Sequence, residues 1–331
     1  MKMASDNLAM GIFLFSQITV GVLGNSSIIF YYLIFIFNGK HLMPKDLIIE
    51  QLTLANCLSV ISRGIPQAMS DFRFKDFLND VGCKLIVYIY RIARGVSLYV
   101  MCLLSCFQAI TISSSSSRWM KLKHRATKYI SPSCSLSWPV HLVLNILTPA
   151  KVSGPISNKN VTSRLSYGYC SWFASSNVVT ALYMSLLCLT DGLCLCLMAC
   201  LSVFLVSVLY RHKRQVQHIH SAQHCLKVSP EDRAAQTILT LVCILVISYA
   251  FSSIVVIFTT YSKGSVLWKV SVFLEMCFPI VCPFVLLCNI KSSSSLFLLC
   301  CGNKTFSKFD MSAACMPLLI YLHILLFIVE C

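Results

Sequence analysis

Seven mostly apolar runs of about twenty residues or more recur along the chain, near residues 8–37, 47–65, 84–112, 130–147, 178–209, 234–258 and 269–288. A helix needs about 20 such residues to cross the hydrocarbon of a bilayer. Lipid offers no partner to a backbone N–H or C=O, so each run closes its hydrogen bonds internally as a helix. The pattern predicts an all-α fold, a seven-transmembrane helix bundle. Only 12% of residues are charged and 57% are hydrophobic, whereas a soluble domain carries roughly 25% charged residues. A soluble globule is therefore excluded. Disorder is excluded by the same numbers, because it requires low hydrophobicity with high net charge. The fourth run, with Pro132, Pro139 and His141, is the weakest, and the charged segments on both sides of it call for a crossing.

The formal net charge of +15 would point to nucleic acid in a soluble chain. In a membrane chain it points to topology, since cationic loops stay on the cytoplasmic side, and no nucleic-acid partner is expected. With the N-terminus outside, Lys40, Lys45, Arg118, Lys121, Lys123, Arg125, Lys128, Arg211, Lys213, Arg214, Lys227, Arg233, Lys291, Lys304 and Lys308 face the cytosol. The outer loops and span edges then hold Lys2, Arg63, Arg73, Lys75, Lys84, Lys151, Lys159, Arg164, Lys263 and Lys269, and Arg91 and Arg94 remain inside the third span. The first apolar run is too long for a signal-peptide core and is expected to serve as a signal anchor.

This orientation puts the acceptor triplet Asn160-Val161-Thr162 in the second outer loop, which makes Asn160 a candidate glycosylation site,. It also leaves Cys83 and Cys170 as the two cysteines in the oxidising compartment, so a disulfide between them is expected,.

No Gly-rich phosphate loop, zinc-ligand spacing or nucleophile–base pattern stands out, so no catalysis, cofactor or metal is expected. The inverted repeat of many transporters is not apparent. Ionisable groups within spans are costly to bury and point to function. Arg91 lies about 12 Å below Cys83 at the helical rise, and Arg94 follows at i+3 on nearly the same face. Asp191 and Glu275 are the available counter-charges, Glu275 at the better matched depth. Two roles fit the arginines: an internal salt bridge or interfacial anchoring that fixes packing, or a polar anchor in an otherwise apolar ligand cavity. Tyr88, Tyr99, Tyr183, Tyr249 and Phe251 are candidates for the walls of that cavity, or for packing alone,.

The cytoplasmic segments "SRWMKLKHRATKYI" from Ser117 and "YRHKRQVQHIHS" from Tyr210 join cations to aromatic and apolar residues. They suit an acidic partner surface or a docked helix, and anionic lipid attraction with positive-inside topology accounts for the same charge.

The strings "LTLAN" at 52–56, "GIPQ" at 64–67 and "KDFLNDVGCKLIVYIYRIARGVSLYVMCLLSCFQAITIS" at 75–113 are accompanied by "SRWMKLKHRATKYI" at 117–130, "VSPEDRAAQTILTLV" at 228–242 and "FPIVCPFVLL" at 278–287. Together, in this order, they resemble the vomeronasal type 1 pheromone receptors, a family of seven-helix G-protein-coupled receptors. The resemblance implies a plasma-membrane chemosensory receptor that takes a small-molecule pheromone or odorant in the outer half of the bundle and couples to a heterotrimeric G protein of the inhibitory type. It implies the Cys83–Cys170 disulfide, a glycan on Asn160, and a G-protein-facing set around Arg118, Lys121, Lys123, Arg211 and Arg214. Arg91 and Arg94 match the family's basic pair in the third helix. The Asp-Arg-Tyr and Asn-Pro-x-x-Tyr sequences of rhodopsin-like receptors are absent, and Asn56 stands where an acidic residue is expected in them.

The receptor domain is expected to span residues 1–295. The tail, 296–331, carries a further apolar stretch at 313–329 with Pro317 and His323, read as an interfacial or disordered addition. The competing assignments are a bitter-taste-type receptor, a multipass transporter or channel, and a receptor relic that does not signal.

Overall fold

The computed structural model describes residues 2–39, 41–72, 74, 77–113, 117–154, 164–166, 169–173, 178–219, 230–262 and 265–291. Asn160 and the tail segment 296–331 lie outside the described residues. The described residues include seven long helices and one short one: α1 (Lys2–Phe37), α2 (Pro44–Asp71), α3 (Asp80–Ile112), α4 (Ser117–Leu144), the short α5 (Thr148–Lys151), α6 (Val178–Ile219), α7 (Pro230–Ser262) and α8 (Ser265–Lys291). The fifth, sixth and seventh apolar runs are thus α6, α7 and α8. Helix α2 starts on Pro44, a residue whose fixed φ suits the first turn. Helix α3 starts behind Asn79, whose side chain accepts from the Gly82 N–H at 2.7 Å,.

Among the described residues, five segments are apolar enough by length and composition to cross a membrane: Leu8–Phe37, Asp80–Ile112, Ala181–Arg211, Ala234–Val255 and Val270–Leu287. Helices α2 and α4 fall short for different reasons. Helix α2 packs against α1, α3, α4 and α8 and buries Asn56, Ser59, Arg63, Gln67 and Asp71, so its polar side chains meet protein instead of lipid. Helix α4 absorbs the basic segment 117–130, which the sequence reading placed in a loop. That segment has no Gly or Pro before Pro132 and is rich in good helix formers such as Met, Lys, Leu, Arg and Ala. Helix α6 likewise runs on past the apolar limit at 209 to Ile219. Hydropathy marks where lipid begins, not where a helix ends.

Helix α2 continues through Pro66 to Asp71, so Arg63 is not the edge cation of the sequence reading. It sits about 12 Å inside the helix end and is 7% exposed. Prolines are tolerated in such helices because neighbours satisfy the groups they free. Helix α8 shows how: Pro283 has no N–H for the carbonyl of Pro279, and Asn25 Nδ2 on α1 donates to that oxygen at 2.9 Å. Gly24, one residue earlier, leaves room for the ring, since a Cβ there would lie 2.9 Å from Pro283 Cγ. Gly64 gives α2 the same closeness: a Cβ would stand 2.6 Å from Ile18 Cγ1 and 2.8 Å from Met276 Cε. Across α2, Trp138 Nε1 on α4 donates to Gln51 Oε1 at 2.8 Å.

At the outer end of α3, β1 (Val152–Ser153), β2 (Arg164–Ser166) and β3 (Ser171–Phe173) form a small antiparallel sheet in the order β1-β3-β2. The Cys83–Cys170 disulfide ties it to α3, and the Gly154 N–H donates to Asp80 Oδ1 at 3.1 Å. Closing so long a loop contributes on the order of a few kcal/mol. Cys83, Val152, Tyr169 and Cys170 form their own buried cluster beneath the sheet.

Candidate functional site

Glu275 on α8 is the centre of a buried polar network. Its Oε2 accepts from Arg63 Nε at 3.1 Å and from the Tyr90 hydroxyl at 2.9 Å, and Arg94 Nη1 lies 3.4 Å from Oε1. Each side chain comes from a different helix or a different turn: Arg63 from α2, Tyr90 and Arg94 one turn apart on α3. The two arginines extend the network in opposite directions. Arg94 Nη1 donates to the Tyr90 hydroxyl at 3.1 Å and its Nε to the Tyr249 hydroxyl on α7 at 2.7 Å, with the guanidinium 4.3 Å from that ring's centroid. The Tyr249 hydroxyl donates in turn to Asp191 Oδ2 on α6 at 3.4 Å. Arg63 Nη1 donates to the Tyr169 hydroxyl at 3.1 Å, next to the disulfide that anchors Cys170. Two guanidinium groups share one carboxylate, Glu275, and the hydrogen bonds reach a second, Asp191, through Tyr249, so that the network joins α2, α3, α6, α7 and α8. A buried ion in such a setting is tolerable only when it is both paired and hydrogen-bonded.

A cavity of about 40 Å³ opens beside this network, lined by residues of α2, α3, α7 and α8 that include Ser59, Arg94, Leu245, Tyr249, Glu275 and Phe278. Of the six pocket candidates named from sequence, Arg94 and Glu275 line it. The other four sit elsewhere. The Tyr88 hydroxyl donates to the Leu142 carbonyl at 2.9 Å and links α3 to α4. The Tyr183 hydroxyl is 2.9 Å from Thr148 Oγ1 and links α6 to α5. Tyr99 is half-buried against the main core. Arg91 is half-buried on the sector of α3 between Tyr88, which faces α4, and Arg94, which faces α7 and α8. Of the further wall candidates, Tyr249 lines the cavity and Phe251 is exposed. Lys121, Arg211 and Arg214 are exposed and Lys123 is half-buried on the cytoplasmic stretches of α4 and α6, while the side chain of Arg118 lies outside the described residues. Among the described residues no group of three or more His, Cys, Asp or Glu is placed to hold a metal ion.

Three members of the network, Arg63, Tyr90 and Tyr169, were not singled out from the sequence. Arg63 stands at the outer edge of the second apolar run, which stops at residue 65, whereas α2 runs on to Asp71. Tyr90 carries a usable signal, four residues before Arg94 on one helical face. Tyr169 carries none beyond its place beside Cys170.

The profile of the vomeronasal organ pheromone receptor family matches residues 8–298. The chain belongs to the vomeronasal type-1 receptor family. Vomeronasal type-1 receptor 2 of Homo sapiens is 41% identical to this receptor over 293 residues, covering 88% of this chain and 74% of that one. Vomeronasal type-1 receptor 3 of Homo sapiens is 41% identical over 310 residues, covering 92% and 99%. Among solved structures, squid rhodopsin superposes with a TM-score of 0.64 at 15% identity, covering 91% of this chain and 89% of that chain, a likeness of fold. This receptor is accordingly a multi-pass plasma-membrane protein of the G-protein-coupled class and not an enzyme. Its Cys83–Cys170 disulfide holds the loop that carries Tyr169, whose hydroxyl accepts from Arg63.

Proposed function

We propose that this vomeronasal-type receptor binds a small molecule in the cavity between α2, α3, α7 and α8 and, on binding, activates a heterotrimeric G protein of the inhibitory type. The observation that carries the reading is the placement of the cavity against Arg94, Tyr249 and Glu275. These are the side chains that tie α3 to α7 and α8. A volume of about 40 Å³ is room for roughly three waters at about 10–15 Å³ each, far less than a ligand pocket of about 300 Å³ or more. A ligand therefore enters by parting α7 from α3, and that movement strains the Arg94–Tyr249 contact. Binding shifts the receptor between two states only by its differential affinity for them. A cavity that is small in one state and wide in the other supplies that difference.

The exposed cations Lys121, Arg211 and Arg214, together with Arg118 and Lys123, form the surface for the G protein in this reading. Movement of α7, which packs on α6, carries α6 with it and so changes the spacing between Arg211 and Arg214 on α6 and Lys121 and Lys123 on α4. The test is guanine-nucleotide exchange on an inhibitory-type heterotrimer, measured in membranes bearing surface-expressed receptor while a broad panel of volatile and amphipathic compounds is applied. At least one compound accelerates exchange if the reading is right. Silence across the panel, with the receptor shown at the surface, refutes the signalling assignment.

A further inference from the structure

Ser59 lies four residues before Arg63 on α2, one turn and about 6 Å deeper in the bundle. It is 4% exposed, it lines the cavity, and its Oγ has no hydrogen-bond partner among the described residues. On the same wall Ser97 and Ser248 are engaged, and Ser252 is buried on α7. Ser97 Oγ donates to Asn56 Oδ1 at 2.7 Å and Ser248 Oγ to the Ile244 carbonyl at 2.7 Å. Glu275, Arg94, Tyr90 and Tyr249 hold one another.

Both guanidinium groups are paired with Glu275, and Arg94 is joined to Asp191 through the Tyr249 hydroxyl. A charged ligand would have to displace a partner that is compensated, and a buried ion stripped of its partner is strongly unfavourable. Ser59 presents the opposite case. A buried hydroxyl without a partner is itself destabilising, and an oxygen brought to it relieves that deficit while breaking nothing. Leu98, Leu245, Leu274, Phe278 and Pro279 supply the apolar part of the wall.

We propose that the cavity takes a small uncharged ligand with an apolar body and one hydrogen-bonding oxygen, a ketone or an alcohol, and that this oxygen docks on Ser59 Oγ. The charged network then acts as the hinge that the ligand's body displaces, and Ser59 as the residue that sets its polarity. The inference rests on the cavity being the ligand site, and it makes no use of the G protein.

The probes are cyclohexanone, cyclohexanol and methylcyclohexane, which share a six-carbon ring and differ in the oxygen. Dissociation constants come from the concentration dependence of the thermal midpoint of the purified full-length receptor. The wild-type chain is expected to bind cyclohexanone and cyclohexanol roughly three- to tenfold more tightly than methylcyclohexane. Ser59→Ala is expected to bring that ratio close to one while leaving the ligand-free midpoint equal or higher, since it removes an unsatisfied hydroxyl. A ratio unchanged in Ser59→Ala overturns the proposal and leaves the receptor reading standing. Failure of the oxygen-bearing probes to bind the wild-type chain overturns it too, and takes the cavity assignment with it, whatever the nucleotide-exchange assay shows.

Discussion

Arg63 on α2 and Glu275 on α8, 212 residues apart in the chain, meet in an ion pair of 3.1 Å with both side chains at most 10% exposed. Removing one partner leaves the other buried without its counter-charge, a change that costs about 3–5 kcal/mol in buried pairs. Arg94 remains on the other carboxylate oxygen, so Arg63→Ala is expected at the lower end of that range. A drop in the thermal midpoint of the purified receptor, with reduced surface expression, is the expected outcome. An unchanged midpoint would show that the pair is not structural.

Asn25 supplies the hydrogen bond that Pro283 denies to the Pro279 carbonyl. Asn25→Leu keeps the bulk and removes the donor, leaving a buried acceptor unmet at about 1–3 kcal/mol. The double variant Asn25→Leu with Pro283→Ala restores an N–H to α8 and is expected to recover part of the loss. Thermal midpoints of the two single variants and the double variant check this, and strict additivity would contradict it.

Much of the bundle is legible from sequence because lipid leaves a helix no alternative, and the seven apolar runs mark all seven long helices. Helix ends are not legible in the same way. Hydropathy says nothing about Ser117–Ile130 or Tyr210–Ile219, where the helices continue in water. The match of Arg94 to Glu275 in depth follows from rise per residue alone. Arg63 does not, because α2 continues through Pro66 to Asp71, six residues beyond the apolar run that marks it. Tyr169 depends on a loop path set by the disulfide, a long-range constraint with no local signature.

Gly64 is where α2 meets Ile18 and Met276. Gly64→Ala forces these side chains apart in a packed interface, and overpacking of this kind costs about 1–3 kcal/mol. Trimming the neighbour with Ile18→Val in the same chain is expected to return part of the stability. If Gly64→Ala melts with the wild type, the close approach of α1 and α2 is wrong.

Cys83 and Cys170 act as one unit. Either Cys→Ser substitution is expected to lower surface expression, and the double substitution to add little to the worse single one. Peptide mapping of the non-reduced protein checks the pairing. Two independent losses that sum would mean each cysteine has a separate role.

Topology is tested by the side on which Asn160 and the segment 118–128 lie. Asn160 is expected to carry glycan and 118–128 to resist external protease in intact cells. Both on one face of the bilayer would mean that the chain does not cross between them, and the assignment of outer and inner loops would fall.

The central claim is that a ligand filling the space beside Arg94, Tyr249 and Glu275 drives the receptor. Nucleotide exchange on an inhibitory-type G protein, with any compound that activates the wild-type chain, is to be compared with a receptor carrying Leu245→Trp, which fills that space from α7. The account predicts that surface-expressed Leu245→Trp loses the response to the compound, with its half-maximal concentration raised at least about tenfold. An undiminished response at the same concentration would place the ligand elsewhere and contradict the account.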